Sequence, residues 1–206
     1  FYSAMSLIGA FIVLFTLAAT WRHPIEVLLI ALLPIAVVTL LLDISGDTEH
    51  ILELKHSNAL AFHILTSIIA YSLLALSALQ AILLSIQNKH LREHQPGGLI
   101  KLMPPLKNME ALLFEIIVVG FVALTVSLGS GLIFLENMFA QQLVHKTVLS
   151  ILAWLVFLIL LIGHWKLGWR GQVAVRWTLG GFISLMLAYF GSKLVLEIIL
   201  DSGWQS

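Results

Sequence analysis

Long apolar runs alternate with short polar stretches along the whole chain. Six runs are long enough to cross a bilayer, because a hydrocarbon core of about 30 Å needs about 20 apolar residues of helix. We number them as the first to sixth predicted spans, covering residues 1–20, 25–42, 59–86, 111–135, 148–165 and 175–200. The pattern predicts an all-α fold, a polytopic transmembrane helix bundle in which residues 1–206 form a single membrane domain.

The composition agrees with this prediction. Of the 206 residues, 60% are hydrophobic and only 11% are charged, whereas soluble domains carry about a quarter charged residues. The absence of cysteine excludes disulfides, thiolate metal ligands and covalent haem attachment. The formal net charge is zero, so nothing indicates a nucleic-acid partner. Because the chain begins at Phe1 without an initiator Met, we expect that its natural start is missing.

The distribution of Lys and Arg predicts the orientation, since short cytoplasmic loops are enriched in these residues. Eight of the eleven basic residues fall on one side of the predicted bundle: Arg22, Lys89, Arg92, Lys101, Lys107, Lys166, Arg170 and Arg176. The opposite side has three lysines and most of the acidic residues. We therefore expect loops 21–24, 87–110 and 166–174 to be cytoplasmic and the C-terminus to be periplasmic, in a bacterial inner membrane.

Three of the eight histidines are placed where chemistry is possible. His63 lies about one turn inside the third predicted span, His145 begins the fifth, and His164 ends it. Nineteen residues of helix separate His145 from His164, a distance of about 28 Å, so they cannot share a metal ion. The sequence therefore predicts two separate sites, one near each membrane surface. The other five histidines fall in loops, where a solvated side chain is the simplest interpretation.

At the periplasmic site, His63 and His145 can approach each other if the third and fifth predicted spans pack together. Two neutral imidazoles on facing helices suit a haem iron, and Lys146 or Lys55 can pair with a haem propionate. The alternative is that His63 bonds to the backbone or a hydroxyl of a neighbouring helix and that His145 is an ordinary interfacial residue.

At the cytoplasmic site, His164 stands beside Trp165 and Trp169, and one interpretation is an interfacial aromatic belt that includes a histidine. Glu115 is the other candidate partner, because a carboxylate one turn inside the membrane is costly unless it is paired. A Glu115–His164 pair can be structural, can orient a metal-ligating imidazole, or can carry protons.

Small residues on the fourth predicted span favour close helix approach. They are Gly120, Ser127, Gly129, Ser130 and Gly131, and their simplest interpretation is packing.

Several stretches resemble the cytochrome c assembly family of membrane proteins (CcsA, CcmC and CcmF). The family's final part has a histidine, a GWRG-type turn, a further span and a YFG motif, and this chain has "GHWKLGWRGQVAVRWTLGGFISLMLAYFGSKLV". The stretch "FHILTSIIAYSLLALSALQAILL" resembles the family span that opens with a haem-ligating histidine. The resemblance covers residues 58–195 and implies non-covalent haem b, with His63 and His164 as iron ligands. The stretches "MPPLKNME" and "HKTVLSILAWLVFLILLIGHWKLGWRG" are most like the YpjD branch, which is related to HemX. This branch usually has further membrane span before the point where this chain begins, so the resemblance implies one or more missing N-terminal spans.

The sequence also departs from the family pattern. The haem-presenting motif WGxxWxWDPKE is replaced by "LENMFAQQLVHKT", which has no tryptophan. The family's second periplasmic haem-ligating histidine follows the YFG span, and here that region has Asp201 and no histidine. His145 is the candidate substitute, which is an inference from position and not a property of the family.

Two functions follow as hypotheses. The first is an inner-membrane haem-binding or haem-handling protein. The second is a non-haem accessory or regulatory membrane subunit of the YpjD/HemX type, which binds another membrane protein. A proton path or small transporter using Glu115 and His164 ranks last, because the sequence shows no inverted repeat or broken helix. No convergent nucleophile, base and oxyanion donor can be named, so the sequence does not indicate an enzyme.

Overall fold

Helices account for the secondary structure of the parts of the chain that the computed structural model describes, which are residues 2–20, 58–93, 103–134 and 144–195. There are five: α1 (Tyr2–Thr20), α2 (Asn58–Arg92), α3 (Leu106–Phe134), α4 (Val144–Leu167) and α5 (Gln172–Val195). They correspond to the first, third, fourth, fifth and sixth predicted spans. The second predicted span, 25–42, and the loop with Lys55 that is predicted to be periplasmic lie outside the described residues.

Three helices are long and apolar enough to cross a membrane. These segments are Ala59–Arg92, Leu106–Ile133 and Lys146–Leu167, and α1 contains a shorter apolar helix, Leu7–Leu17. The all-α prediction is therefore confirmed for the described residues, whereas six spans are not confirmed. At about 1.5 Å per residue, the 35 residues of α2 extend about 52 Å, so this helix is longer than a hydrocarbon core is thick.

Four of the helices pack in a closed ring. Each of α2, α3, α4 and α5 contacts the next, α5 returns to contact α2, and α1 packs on α2. The centre of the ring is apolar and contains large side chains that are fully buried, among them Leu74, Leu113, Ile117, Phe157 and Leu160. This core fixes the rotation of each helix about its axis, and that rotation decides which polar side chains point inward.

Glycines allow close approach at two of these contacts. A Cβ on Gly120 of α3 would lie 2.9 Å from Leu74 Cδ2 and 3.2 Å from Leu73 Cβ on α2. A Cβ on Gly181 of α5 would lie 2.8 Å from Cε2 of the Phe157 ring on α4. The predicted packing role of Gly120 is thus confirmed, since any side chain there would push α2 and α3 apart.

Two glutamines of α2 fix the start of α3. Gln80 Nε2 donates to the Met109 carbonyl at 3.0 Å, and Gln87 Nε2 donates to the Pro104 carbonyl at 2.8 Å. Both side chains are buried, and the Oε1 atom of each has no hydrogen-bond partner in the described part of the chain. Since an apolar surrounding makes an amide–carbonyl bond hard to replace, these two contacts hold the first turn of α3 against α2.

The adjacent glycines of α5 provide a matched test of the packing. Gly181→Ala is expected to destabilise the protein by about 1–3 kcal/mol, because the added methyl overlaps the enclosed Phe157 ring. Gly180→Ala meets nothing within 4 Å and is expected to be neutral or to stabilise by up to about 1 kcal/mol through helix propensity. Thermal unfolding of both variants in detergent measures the difference, and equal midpoints would contradict the α4–α5 contact.

Candidate functional site

His63 is oriented by α3 through one of its two ring nitrogens. Its Nδ1 lies 3.0 Å from the backbone oxygen of Ser127 and 3.0 Å from Oγ of Ser130. A carbonyl oxygen only accepts hydrogen bonds, so Nδ1 must carry the proton of the neutral ring. The other ring nitrogen, Nε2, then keeps its lone pair, which is the atom that a metal ion would bind.

A cluster of serine hydroxyls surrounds this bond. Ser130 Oγ donates to the Ser127 carbonyl at 2.8 Å, Ser67 Oγ donates to the His63 carbonyl at 2.7 Å, and Ser67 Oγ lies 2.6 Å from Ser127 Oγ. The alternative expectation, in which His63 bonds to the backbone or a hydroxyl of a neighbouring helix, is therefore what the structure shows at Nδ1. It leaves Nε2 available, so a ligand role is compatible with it.

His63 lines a partly open cavity of about 410 Å³ to which all five helices contribute side chains, within the range of about 300–1,000 Å³ typical of ligand pockets. The lining is mostly aliphatic. The polar and aromatic residues that also line it are Ser67, Tyr71, Ser127, Lys146, Thr147, Ser150 and Tyr189. The Tyr71 ring packs at 5.5 Å from Tyr189 and 5.6 Å from Phe182, measured between centroids, so aromatic rings form a wall shared by α2 and α5.

The first turn of α4 borders the same cavity. Lys146 lines it while its side chain remains exposed, which puts an ammonium group at the edge of an apolar space. His145 is its neighbour in α4, but the His145 side chain lies outside what the structure describes. Packing of His145 against His63 therefore stays a prediction.

The residues at this cavity fit the cofactor that the family resemblance implies. An imidazole whose Nδ1–H is bonded to a carbonyl, leaving Nε2 bare, is the usual arrangement of a metal-ligating histidine. Within the described ranges, no group of three or more His, Cys, Asp or Glu is placed to hold a metal ion by itself. A metalloporphyrin brings four nitrogen ligands of its own, so it needs fewer protein ligands than a free metal ion. Its apolar ring suits the aliphatic walls, and its carboxylates can pair with a lysine. These residues therefore fit haem better than a free metal ion.

His164, at the other end of the bundle, is held in the same way. Its Nδ1 lies 2.8 Å from the carbonyl oxygen of Trp169, so the proton again belongs on Nδ1 and Nε2 is bare. The imidazole stacks on the Phe114 ring of α3, with centroids 3.5 Å apart and planes inclined by 18°. Since His145 and His164 lie in the continuous helix α4, the two residues are about 28 Å apart along it, as predicted, and the presence of a separate site at each end stays a prediction.

The carbonyl that orients His164 belongs to the GWRG turn between α4 and α5. Gly168 and Gly171 have φ angles of 67° and 59°, a left-handed conformation that glycine adopts without the cost other residues incur. Trp169 folds back over α4, where a Cβ on Gly163 would overlap its ring. Trp165 is 67% exposed, as expected for a residue of the predicted aromatic belt. Trp169 differs, because it packs on the core.

The sequence singled out Glu115 among the acidic residues of α3, and the structure brings a different one into contact with the GWRG turn. Glu115 lies on an exposed side of α3, and the hydrogen bond of His164 Nδ1 goes to Trp169, so pairing of Glu115 with His164 stays a prediction. Glu110, which the sequence did not single out, contacts the turn: Gly171 N–H donates to Glu110 Oε1 at 2.9 Å. The only feature of the sequence that could have indicated this contact is the presence of an acidic residue near the start of α3.

The fold and site together define a helical membrane protein with two imidazoles held at separate ends of the bundle, one of them in a ligand-sized cavity. The comparison with known families assigns it more closely. Residues 1–200 match the family described as cytochrome c assembly protein, and the chain belongs to that family.

Individual relatives agree with this assignment. The chain is 37% identical over 177 residues to inner membrane protein YpjD of Escherichia coli, a match covering 82% of the chain and 65% of YpjD. It is 31% identical over 150 residues to cytochrome c biogenesis protein CcsA of Chlamydomonas reinhardtii, a match covering 72% of the chain and 41% of CcsA. The chain thus spans somewhat less than two thirds of YpjD. No solved structure matches it.

The tautomer of His63 is a direct test of the site geometry. Nitrogen-15 spectra of histidine-labelled protein in detergent should show His63 as the Nδ1–H tautomer, assigned by its loss in His63→Gln. Ser130→Ala should leave that tautomer unchanged, because the Ser127 carbonyl still accepts from Nδ1. A signal from the Nε2–H tautomer would show that the ring is flipped and that Nε2 is not presented to the cavity.

Proposed function

We propose that this chain is an inner-membrane haem-binding or haem-handling protein and that it binds non-covalent haem b at the cavity lined by His63. The single observation that carries the proposal is that His63, whose Nδ1 contacts the Ser127 carbonyl, lines a mostly aliphatic, ligand-sized cavity. When bound, the haem supplies an iron centre able to accept a neutral imidazole. The protein supplies the orientation of that imidazole and the apolar walls around it.

The hydrogen bonding of the half-buried imidazole supports this function. A polar ring among apolar helices is costly unless its nitrogens have partners. The Ser127 carbonyl satisfies Nδ1, and a histidine that ligates a metal usually donates its other ring N–H to such an acceptor. An iron ion bound at Nε2 would give the second ring nitrogen a partner as well. His63 therefore has the role of axial ligand in the proposal.

The edge of the cavity matches the polar end of a haem. Its propionates are anionic, and Lys146 is the cation that lines the cavity while remaining exposed to solvent or headgroups. The hydroxyls of Thr147 and Ser150 lie on the same stretch of α4. In this proposal Lys146 would pair with a propionate, and His145, one residue earlier in the sequence, would be a second residue holding the iron.

His164 marks a second position on the opposite side of the membrane. Its Nε2 is bare for the same reason as that of His63, and the family resemblance gives it a ligand role. Movement of haem between two such positions would be transport of an intact group, so the chain itself needs no bond-making chemistry.

The second candidate function is a non-haem accessory subunit that binds another membrane protein. It is favoured by the sequence of the segment before α4, "LENMFAQQLVHKT", which lacks the tryptophan-rich haem-presenting motif of the family. The absence of a histidine near Asp201 points the same way. The two candidates differ in a property that can be measured directly, which is the affinity for haem.

Haem binding should depend on His63 and not on histidine content. Purified protein titrated with haem should develop a Soret band, and His63→Ala should weaken binding by more than about tenfold, because loss of even a ligand's hydrogen-bond partner costs about 10–100-fold. His90→Ala is the matched control, since His90 bonds to the Ile86 carbonyl near the end of α2, away from the cavity lining. Absorption titration measures both variants.

A colourless preparation that does not bind added haem would contradict the proposal and favour the accessory subunit. In that case a stoichiometric membrane partner should co-purify from native membranes, and His63→Ala should retain it.

The proposal includes the membrane in which the chain lies and the side that each end of the bundle faces. The E. coli relative is named an inner membrane protein, and the positive-inside rule assigns the GWRG turn to the cytoplasm and Lys146 to the periplasm. Haem held at His63 would then face the compartment in which cytochromes c are assembled.

The absence of cysteine makes this orientation easy to measure. Lys146→Cys should react with a membrane-impermeant maleimide in spheroplasts, whereas Lys166→Cys should react only after the membrane is permeabilised. Both side chains are exposed, so the difference reports the side of the membrane and not burial. Labelling of Lys166→Cys in sealed spheroplasts would reverse the assigned orientation.

A further inference from the structure

The two oriented histidines differ in what holds the carbonyl that each one contacts. His63 contacts the carbonyl of Ser127, which lies inside α3 and is positioned by that helix. His164 contacts the carbonyl of Trp169, which lies in a turn between helices. A helical carbonyl is fixed by the regular backbone around it, whereas a turn carbonyl depends on the contacts of its turn.

The turn contains two glycines whose backbone conformation other residues rarely adopt. Gly168 and Gly171 flank Trp169 and Arg170, and both have positive φ angles. Backbone bonds tie each side of the turn to its own helix: Trp169 N–H donates to the Gly163 carbonyl, and Val175 N–H donates to the Gly171 carbonyl. Neither bond connects the turn to α3, where the His164 ring is stacked.

Glu110 supplies that connection. Its Oε1 accepts from Gly171 N–H at 2.9 Å, and Phe114, which stacks on His164, is one helical turn further along α3. The imidazole and the turn that orients it are therefore both held on one face of the same helix. The carboxylate also lies at the first turn of α5, where the helix dipole favours a negative charge.

The start of α3 is itself fixed. Gln80 bonds to the Met109 carbonyl and Gln87 bonds to the Pro104 carbonyl, so the residue next to Glu110 is attached to the buried face of α2. A continuous series of contacts therefore runs from α2 through the start of α3 to the turn, and it ends at the Trp169 carbonyl.

We propose that Glu110 is a positioning residue for His164. By accepting the hydrogen bond of Gly171 N–H, it keeps the Trp169 carbonyl in contact with Nδ1 of His164. The proton therefore stays on Nδ1, and Nε2 keeps its free lone pair. This role does not require haem at the His63 cavity, so the two proposals succeed or fail separately. It gives the second site an orienting carboxylate that acts through the backbone and not by touching the imidazole.

The tautomer of His164 tests this role. Nitrogen-15 spectra of histidine-labelled protein, with the His164 signal assigned by its loss in His164→Gln, should show the Nδ1–H tautomer when the ring is neutral. Glu110→Leu should shift His164 to the mixture of tautomers of a free imidazole. Glu110→Gln should retain the Nδ1–H tautomer, because an amide oxygen still accepts from Gly171 N–H.

Gln172→Leu is the matched control, because Gln172 Nε2 bonds to Ser85 Oγ at 3.5 Å and its loss loosens the start of α5 without touching Glu110. It should leave His164 unchanged. If Glu110→Leu fails to fold, Glu110→Asp replaces it, since a side chain one methylene shorter loses the contact while keeping the charge. An unchanged tautomer in Glu110→Leu or Glu110→Asp, or an equal shift in Gln172→Leu, would overturn the proposal.

Discussion

Backbone carbonyls that accept a hydrogen bond from Nδ1 of a histidine underlie both candidate sites. Inside an apolar bundle no bulk water is present to satisfy a polar ring, so the partner must come from another part of the chain. Ser127 supplies it for His63 and Trp169 supplies it for His164. Because a carbonyl cannot donate, each bond fixes the tautomer as well as the direction of the ring. Both imidazoles therefore present Nε2, the nitrogen with the free lone pair.

Helix α3 is the element that the two sites share. It provides the Ser127 and Ser130 contacts to His63 near its C-terminal end, and Phe114 and Glu110 contact His164 and its turn near the N-terminal end. The absence of a side chain at Gly120 lets α3 lie directly on α2. A change in the position of α3 would therefore alter both histidines, which gives this helix a larger role than its apolar sequence indicates.

Membership of the cytochrome c assembly family and the geometry of the cavity support each other without being the same observation. The family match covers residues 1–200, whereas the cavity depends on a few side chains from all five helices. The sequence lacks the family's tryptophan-rich presentation motif, yet His63 retains an oriented imidazole at a ligand-sized space. This combination is the expected one if binding of haem has been kept while its presentation to a partner has changed.

The sequence by itself determined the helices and the depth of the histidines. Apolar runs of sufficient length predict helices because an apolar surrounding requires every backbone bond to be made internally. The boundaries were less accurate: α3 begins at Leu106 instead of 111, and α2 continues to Arg92 instead of 86, since helical bonding extends into the polar residues at the interface. The position of His63 along its helix fixed its depth, whereas its place beside the cavity depends on the rotation of α2, which the packing of the core determines.

Only the tertiary structure decided the partners. Every residue has a carbonyl, so no sequence pattern distinguishes Ser127 or Trp169 as an acceptor, and Ser127 and Ser130 had been interpreted as packing residues. Glu115 was one candidate partner of His164, and that pairing stays a prediction, but His164 Nδ1 contacts a carbonyl, and the carboxylate that contacts the turn is that of Glu110. Such contacts depend on the rotation and crossing of helices distant in sequence, which the packing of the core determines.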